Sequence, residues 1–176
     1  MFDQILQRLI RMVKFDNTVW EEIEHDLNAN TEAAIVVIAS SLLAAIGSGI
    51  AGGIGSFFLT LIIGPLINWL AWSGITMLVG TKLFEGESDF WEMARVIGYA
   101  NAPRALAILS FIPCVGAIIG LATFALSLYF GFLAVREGLD LPNEKAILTV
   151  VIGWVVAFVI NLALMATVGG MAALVS

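Results

Sequence analysis

Arg104 sits between two prolines, Pro103 and Pro113, next to the apolar run Ala105 to Leu109. Three asparagines, Asn68, Asn101 and Asn161, interrupt other long apolar stretches. A guanidinium offers five N–H donors and no acceptor, and each amide adds both kinds of group. Such a set can hold an anion or a carbonyl oxygen. In hydrocarbon an arginine costs at least about 2.5–3.5 kcal/mol and normally has a partner, yet no acid lies inside the apolar runs around it. Two kinds of solution stand. Arg104 either bonds carbonyls freed at the prolines or snorkels to an interface, or it meets a lipid phosphate, a quinone or pigment carbonyl, or a transported anion.

Other chemistry is sparse. His25 is the single histidine and Cys114 the single cysteine, so neither a disulfide within the chain nor a clustered metal site is expected. The nucleophile-elbow, zinc-protease and phosphate-loop patterns are missing. The expectation is a non-enzyme with no catalytic residue, no metal and no required cofactor; lipid, quinone or pigment remain as ligands. The acids Glu21, Glu22, Glu24 and Asp26 gather on one side of a short helical stretch. They form either a solvated face or a docking face for a basic partner.

The elements that must position these residues belong to a membrane. Of 176 residues, 60% are hydrophobic and 12% charged, against roughly 25% charged in soluble domains, and the mean hydropathy is +1.00. Between Ala33 and Val79 there is no charge at all, about twice the roughly 20 residues that cross a bilayer. A hairpin therefore lies inside, and Gly47, Gly49, Gly52, Gly53 and Gly55 mark it. Glycines this dense form a turn or let helices approach closely, which makes them a candidate packing interface. The expected fold is all-α: cytoplasmic or interfacial amphipathic helices over residues 1–30, then a membrane domain over 31–176. Its five spans are expected near 33–47, 57–79, 94–112, 116–135 and 146–168.

Local signals refine this outline. Phe2, Ile5, Leu6, Leu9, Ile10 and Val13 recur at helical spacing beside Arg8, Arg11 and Lys14. That helix lies either among anionic headgroups or on the protein's own surface. Thr18 with Glu21, and Asp89 with Glu92, have capping-box spacing. The third span is awkward: started at Ala105 it is too short, and started near Ala94 it carries Asn101 and Arg104 inward, so a re-entrant hairpin is the alternative. Lysines and arginines outside or at the edges of the spans fall on one side of a five-span path, while the turns 47–56 and 111–116 carry none. The positive-inside rule then places the N-terminus in the cytoplasm and the C-terminus outside, in the cell (plasma or inner) membrane. The start, Met1 to Lys14, lacks the apolar core of a signal peptide.

Several landmarks resemble the Ypt-interacting (YIP) family of membrane proteins. They are Trp20-Glu21-Glu22-Ile23-Glu24-His25-Asp26 with Ala33 to Val37, Phe90-Trp91-Glu92, Arg95 to Ala100, Ala102-Pro103, Ile112-Pro113, Gly116, and Ala134 to Asp140 with Lys145-Ala146. The resemblance covers roughly residues 18 to 165 and implies a five-helix fold with a cytoplasmic N-terminus. It looks most like the short prokaryotic branch and carries over no catalytic residues. In eukaryotes the family shapes Golgi and endoplasmic-reticulum membranes and binds Rab-type GTPases.

The expected role is a membrane scaffold or accessory subunit in a hetero-complex with another integral membrane protein, in contact with lipids and not with nucleic acid. The alternatives are a small transporter or permease, with broken helices around a polar centre, and a pigment- or quinone-contacting subunit of an energy-transducing complex.

Overall fold

The structure, a computed structural model, describes residues 1–63, 65–112 and 115–175; the side chains of residues 51, 56, 59, 60, 62, 63, 66, 67, 161 and 163–175 lie outside the description. The described residues form helices and connecting turns: α1 (Phe2–Val13), α2 (Thr18–His25), α3 (Ala29–Ile63), α4 (Leu66–Phe84), α5 (Phe90–Ala100), a 3₁₀ helix (Ala102–Phe111), α6 (Val115–Glu137) and α7 (Asn143–Val175).

The glycine-rich stretch does turn the chain. Gly53, with φ 82° and ψ −178°, breaks the helical path within α3. A Cβ on Gly49 would stand 3.0 Å from Cβ of Phe57, whereas eight residues of straight helix span about 12 Å. The second arm of α3 therefore doubles back on the first, and α4 follows from its N-cap Pro65.

The stretch 94–112 differs from the single α-helical span expected. α5 ends at Ala100, where Asn101 turns its Nδ2 back to donate to the Ile97 carbonyl at 2.8 Å. Pro103 has no N–H to continue the α-ladder, and the chain goes on with i→i+3 bonds, Arg104 N to Asn101 O at 3.0 Å. A 3₁₀ helix rises about 2.0 Å per residue instead of about 1.5 Å. Ten residues so wound reach about 20 Å, which offsets the shortage of residues in this leg. The 3₁₀ helix packs along α3 and α6.

Among the described residues three helices are long and apolar enough to cross a bilayer: Ala29–Ile50, Val115–Glu137 and Asn143–Ile160. Five continuous α-helical spans are thus not what the described residues show. The stretches 57–79 and 94–112, expected as spans, are instead interrupted at Pro65 and after Ala100, where a nearby proline lacks a backbone donor. The capping box at Asp89 and Glu92 forms as expected, with Glu92 N to Asp89 Oδ1 at 2.9 Å and Asp89 N to Glu92 Oε2 at 2.8 Å. The one at Thr18 does not: Asp16 accepts from the Thr18 N–H at 3.1 Å instead.

The core sits at one end of the bundle. Val19, Trp20 and Ile23 of α2 are buried with Ala33 and Val37 of α3, Met93, Val96 and Tyr99 of α5, and Leu133 to Val135 of α6. Trp20 meets Phe130 edge to face at 5.8 Å. Farther from that end the helices turn apolar side chains outward, Ile118 and Leu121 on α6 and Phe158 on α7 being about two-thirds exposed or more. Water would penalise such a surface heavily; lipid would not.

Candidate functional site

Two polar sites lie along this bundle, and each is built around an arginine. The first joins α1 to the core. Ile5, Arg8 and Met12 follow one another at i, i+3 and i+7, so α1 turns all three inward. Arg8, 2% exposed, donates from Nε to Glu22 at 3.0 Å, from Nη2 to Asp26 at 2.7 Å and from Nη1 to Glu32 at 2.5 Å. Tyr99 Oη closes the cluster with a 2.6 Å bond to the same Glu32 oxygen. Burial works against the Arg8 charge, but its bonds to Asp26, Tyr99 and Glu22 outweigh that and hold its pKa above the ordinary value. Asp26 is held below the usual carboxylate range, first by Arg8 and then by the Asn28 N–H. Glu22 is partly desolvated, which alone would raise its pKa, yet Arg11 and Arg8 bring it down.

Arg95 fastens the neighbouring seam. Its Nε donates to the Glu24 carbonyl at 2.9 Å, satisfying an orphan acceptor at the end of α2, and Nη1 reaches Asn30 at 3.3 Å. The Glu24 side chain is itself buried, and its carboxyl is pushed up to about 7 by desolvation and the nearby charges of Asp140, Glu92 and Glu137, with His25 opposing.

The second site lies between α4, α5, the 3₁₀ helix, α6 and α7. It is a cavity of about 320 Å³ lined by Asn68, Asn101 and Arg104, walled by Trp72, Phe124 and Trp154, with Gly131 leaving room on α6. The volume is at the lower end of the roughly 300–1,000 Å³ of small-ligand sites. The Phe124 and Trp154 rings lie 6.0 Å apart, and both stay partly exposed. The Arg104 guanidinium donates to no described residue. Asn161, grouped with these residues on sequence grounds, lies outside the described side chains, as does Cys114.

A family model, the Yip1 domain, matches residues 15–165. The chain belongs to the Yip1 family. No curated protein and no solved structure matches it. The match and the apolar helices together make it a helical membrane protein.

Within the Yip1 domain the acidic face divides. Glu21 is exposed; Glu22 and Asp26 pair with Arg8; Glu24 is buried. Arg8 therefore does not lie among lipid headgroups, because three carboxylates of its own chain surround it. The glycines divide too. Gly47 permits close packing, since a Cβ there would stand 2.2 Å from the Ala107 carbonyl oxygen, and Gly49 packs on Phe57. Gly53 makes the turn, Gly52 is exposed and Gly55 borders open space. Sequence reasoning missed Glu32 and Tyr99 as partners of Arg8. The usable signals were the 5-8-12 spacing in α1 and a lone acid opening an apolar run.

Proposed function

We propose that this Yip1-family protein is a non-enzymatic scaffold or accessory subunit, an integral membrane protein that holds another one. The observation carrying this reading is the anchoring of α1. With Arg8 fixed by Glu22, Asp26 and Glu32, the opposite face of α1 points Phe2, Leu6, Ile10 and Val13 outward. Scaffolding requires a pre-organised surface more than a reactive centre. A stripe welded in place loses little freedom when a partner or the bilayer surface covers it.

In this reading five legs cross the cell membrane, the polar end faces the cytoplasm and the C-terminus lies outside. Cys114 then reacts with a membrane-impermeant thiol reagent from outside only; labelling from the cytoplasmic side alone overturns the arrangement. The partner is tested by purification from native membranes in mild detergent. The same membrane protein should be recovered with the wild type and lost with Leu6→Glu/Ile10→Glu, whereas a chain that purifies alone defeats the scaffold reading.

The Arg104 cavity favours a second reading, a small permease for an anion. Anion uptake by liposomes carrying the protein, abolished by Arg104→Gln, would put that reading ahead.

A further inference from the structure

The fold satisfies its other arginines. Arg8 and Arg11 are ion-paired, Arg95 bonds the Glu24 carbonyl, and Arg136 pairs with Glu137. The Arg104 guanidinium has no acceptor among the described residues, yet it lines a cavity with two amides and three aromatic walls. We infer that this cavity binds the phosphate of an anionic phospholipid with a hydroxyl-bearing headgroup, such as phosphatidylglycerol.

Four observations converge on that ligand. The guanidinium fork matches a phosphate and carries the only charge among the described residues that line the cavity. Asn101 spends its Nδ2 on the Ile97 carbonyl, so its Oδ1 is left to accept from a headgroup hydroxyl. Gly131 stands six residues before Glu137, the end of α6. At about 1.5 Å per residue that is about 9 Å from the polar end, near the depth where headgroups meet acyl chains. Phe124 and Trp154 lie at the lipid-facing side with Leu121 and Phe158 exposed along the same two helices, which gives acyl chains an apolar track. A free inorganic anion would use the guanidinium but not the track.

The inference requires residence in a membrane and does not depend on a protein partner, so it is read on the purified chain alone. The delipidated protein is titrated with phosphatidylglycerol, phosphatidylcholine and inorganic phosphate, with binding followed by native mass spectrometry and thermal shift. Wild type should bind phosphatidylglycerol about tenfold or more tighter than phosphatidylcholine. Arg104→Gln should bring the two to the same level. So should Gly131→Leu, which leaves Arg104 in place: a Cβ at Gly131 meets nothing within 4 Å, so the added side chain can fill the space while improving helix propensity. Arg11→Gln, outside the cavity, should change nothing.

Arg104→Gln carries the test alone if Gly131→Leu lowers the lipid-free Tm. Unchanged phosphatidylglycerol binding in Arg104→Gln overturns the site. Inorganic phosphate that binds as tightly as the lipid and displaces it overturns the lipid assignment in favour of a free-anion site.

Discussion

Arg8 and Arg104 are both drawn into the body of the molecule, and the fold treats them in opposite ways. Arg8 is surrounded by Glu22, Asp26 and Glu32, with Tyr99 completing the network. Arg104 shares a cavity with neutral amides and aromatic rings and has no acid beside it. A buried charge whose neighbours complete its hydrogen bonds fixes a geometry, whereas one left incomplete is suited to a ligand. The difference separates a joint from a site within one small protein. It also explains why the acids of α2 are not interchangeable: their roles follow from which of them Arg8 reaches.

The contrast is tested hardest by removing the joint. Arg8→Ala leaves Glu32, itself 2% exposed, without its cation, and breaking a buried pair in this way costs about 3–5 kcal/mol. Thermal unfolding in detergent should show a larger loss for Arg8→Ala than for any substitution at Glu24, Arg104 or Arg11. A Tm like that of the wild type would mean Arg8 does not hold α1 in place.

Glu24 is next, because it is the acid of α2 that is buried, and no arginine pairs with its carboxylate among the described residues. Its carboxyl is raised from about 4.5 to about 7 by burial and by Asp140, Glu92 and Glu137. Its stabilising contribution is therefore complete below about pH 4.5 and lost as pH rises through about 7. Glu24→Gln should remove that slope and stabilise the protein at pH 8 by at most about 3 kcal/mol. Glu22 and Asp26, whose pKa values are lowered, contribute stability that is lost on the acid side instead. Parallel unfolding curves for wild type and Glu24→Gln from pH 5 to 8 would refute the assignment.

Arg104→Leu sharpens the comparison by its sign. In delipidated protein it should leave Tm unchanged or raise it slightly, since an incompletely satisfied charge is removed. A clear loss of stability without lipid would make Arg104 a second joint. The smallest effect is expected from Arg11→Ala, whose pair with Glu22 is exposed; such pairs contribute under about 1 kcal/mol, and added salt should erase the difference.

Much of this was legible in the chain. Hydropathy alone made it a helical membrane protein, because uncharged runs of bilayer length have no soluble solution. Gly53 was readable as part of a turn and Asp89 with Glu92 as a helix start, since both depend on local backbone geometry. Asn68, Asn101 and Arg104 could be grouped as polar intruders, and the fold does bring them to one cavity. Their aromatic walls could not be read, because Trp72 and Trp154 come from legs far apart in sequence.

Tertiary structure decided the rest, for reasons that act through space. Composition counts charges but does not show where they point. The arginines and acids of residues 1–32 looked like solvated or lipid-facing groups until the packing of α1 on α2 and α3 turned them toward one another. The prolines announced interrupted helices, but not that the chain would continue past Pro103 as a 3₁₀ helix lying along α3 and α6. A local sequence fixes which backbone bonds are lost; neighbouring helices determine how the remaining ones are made.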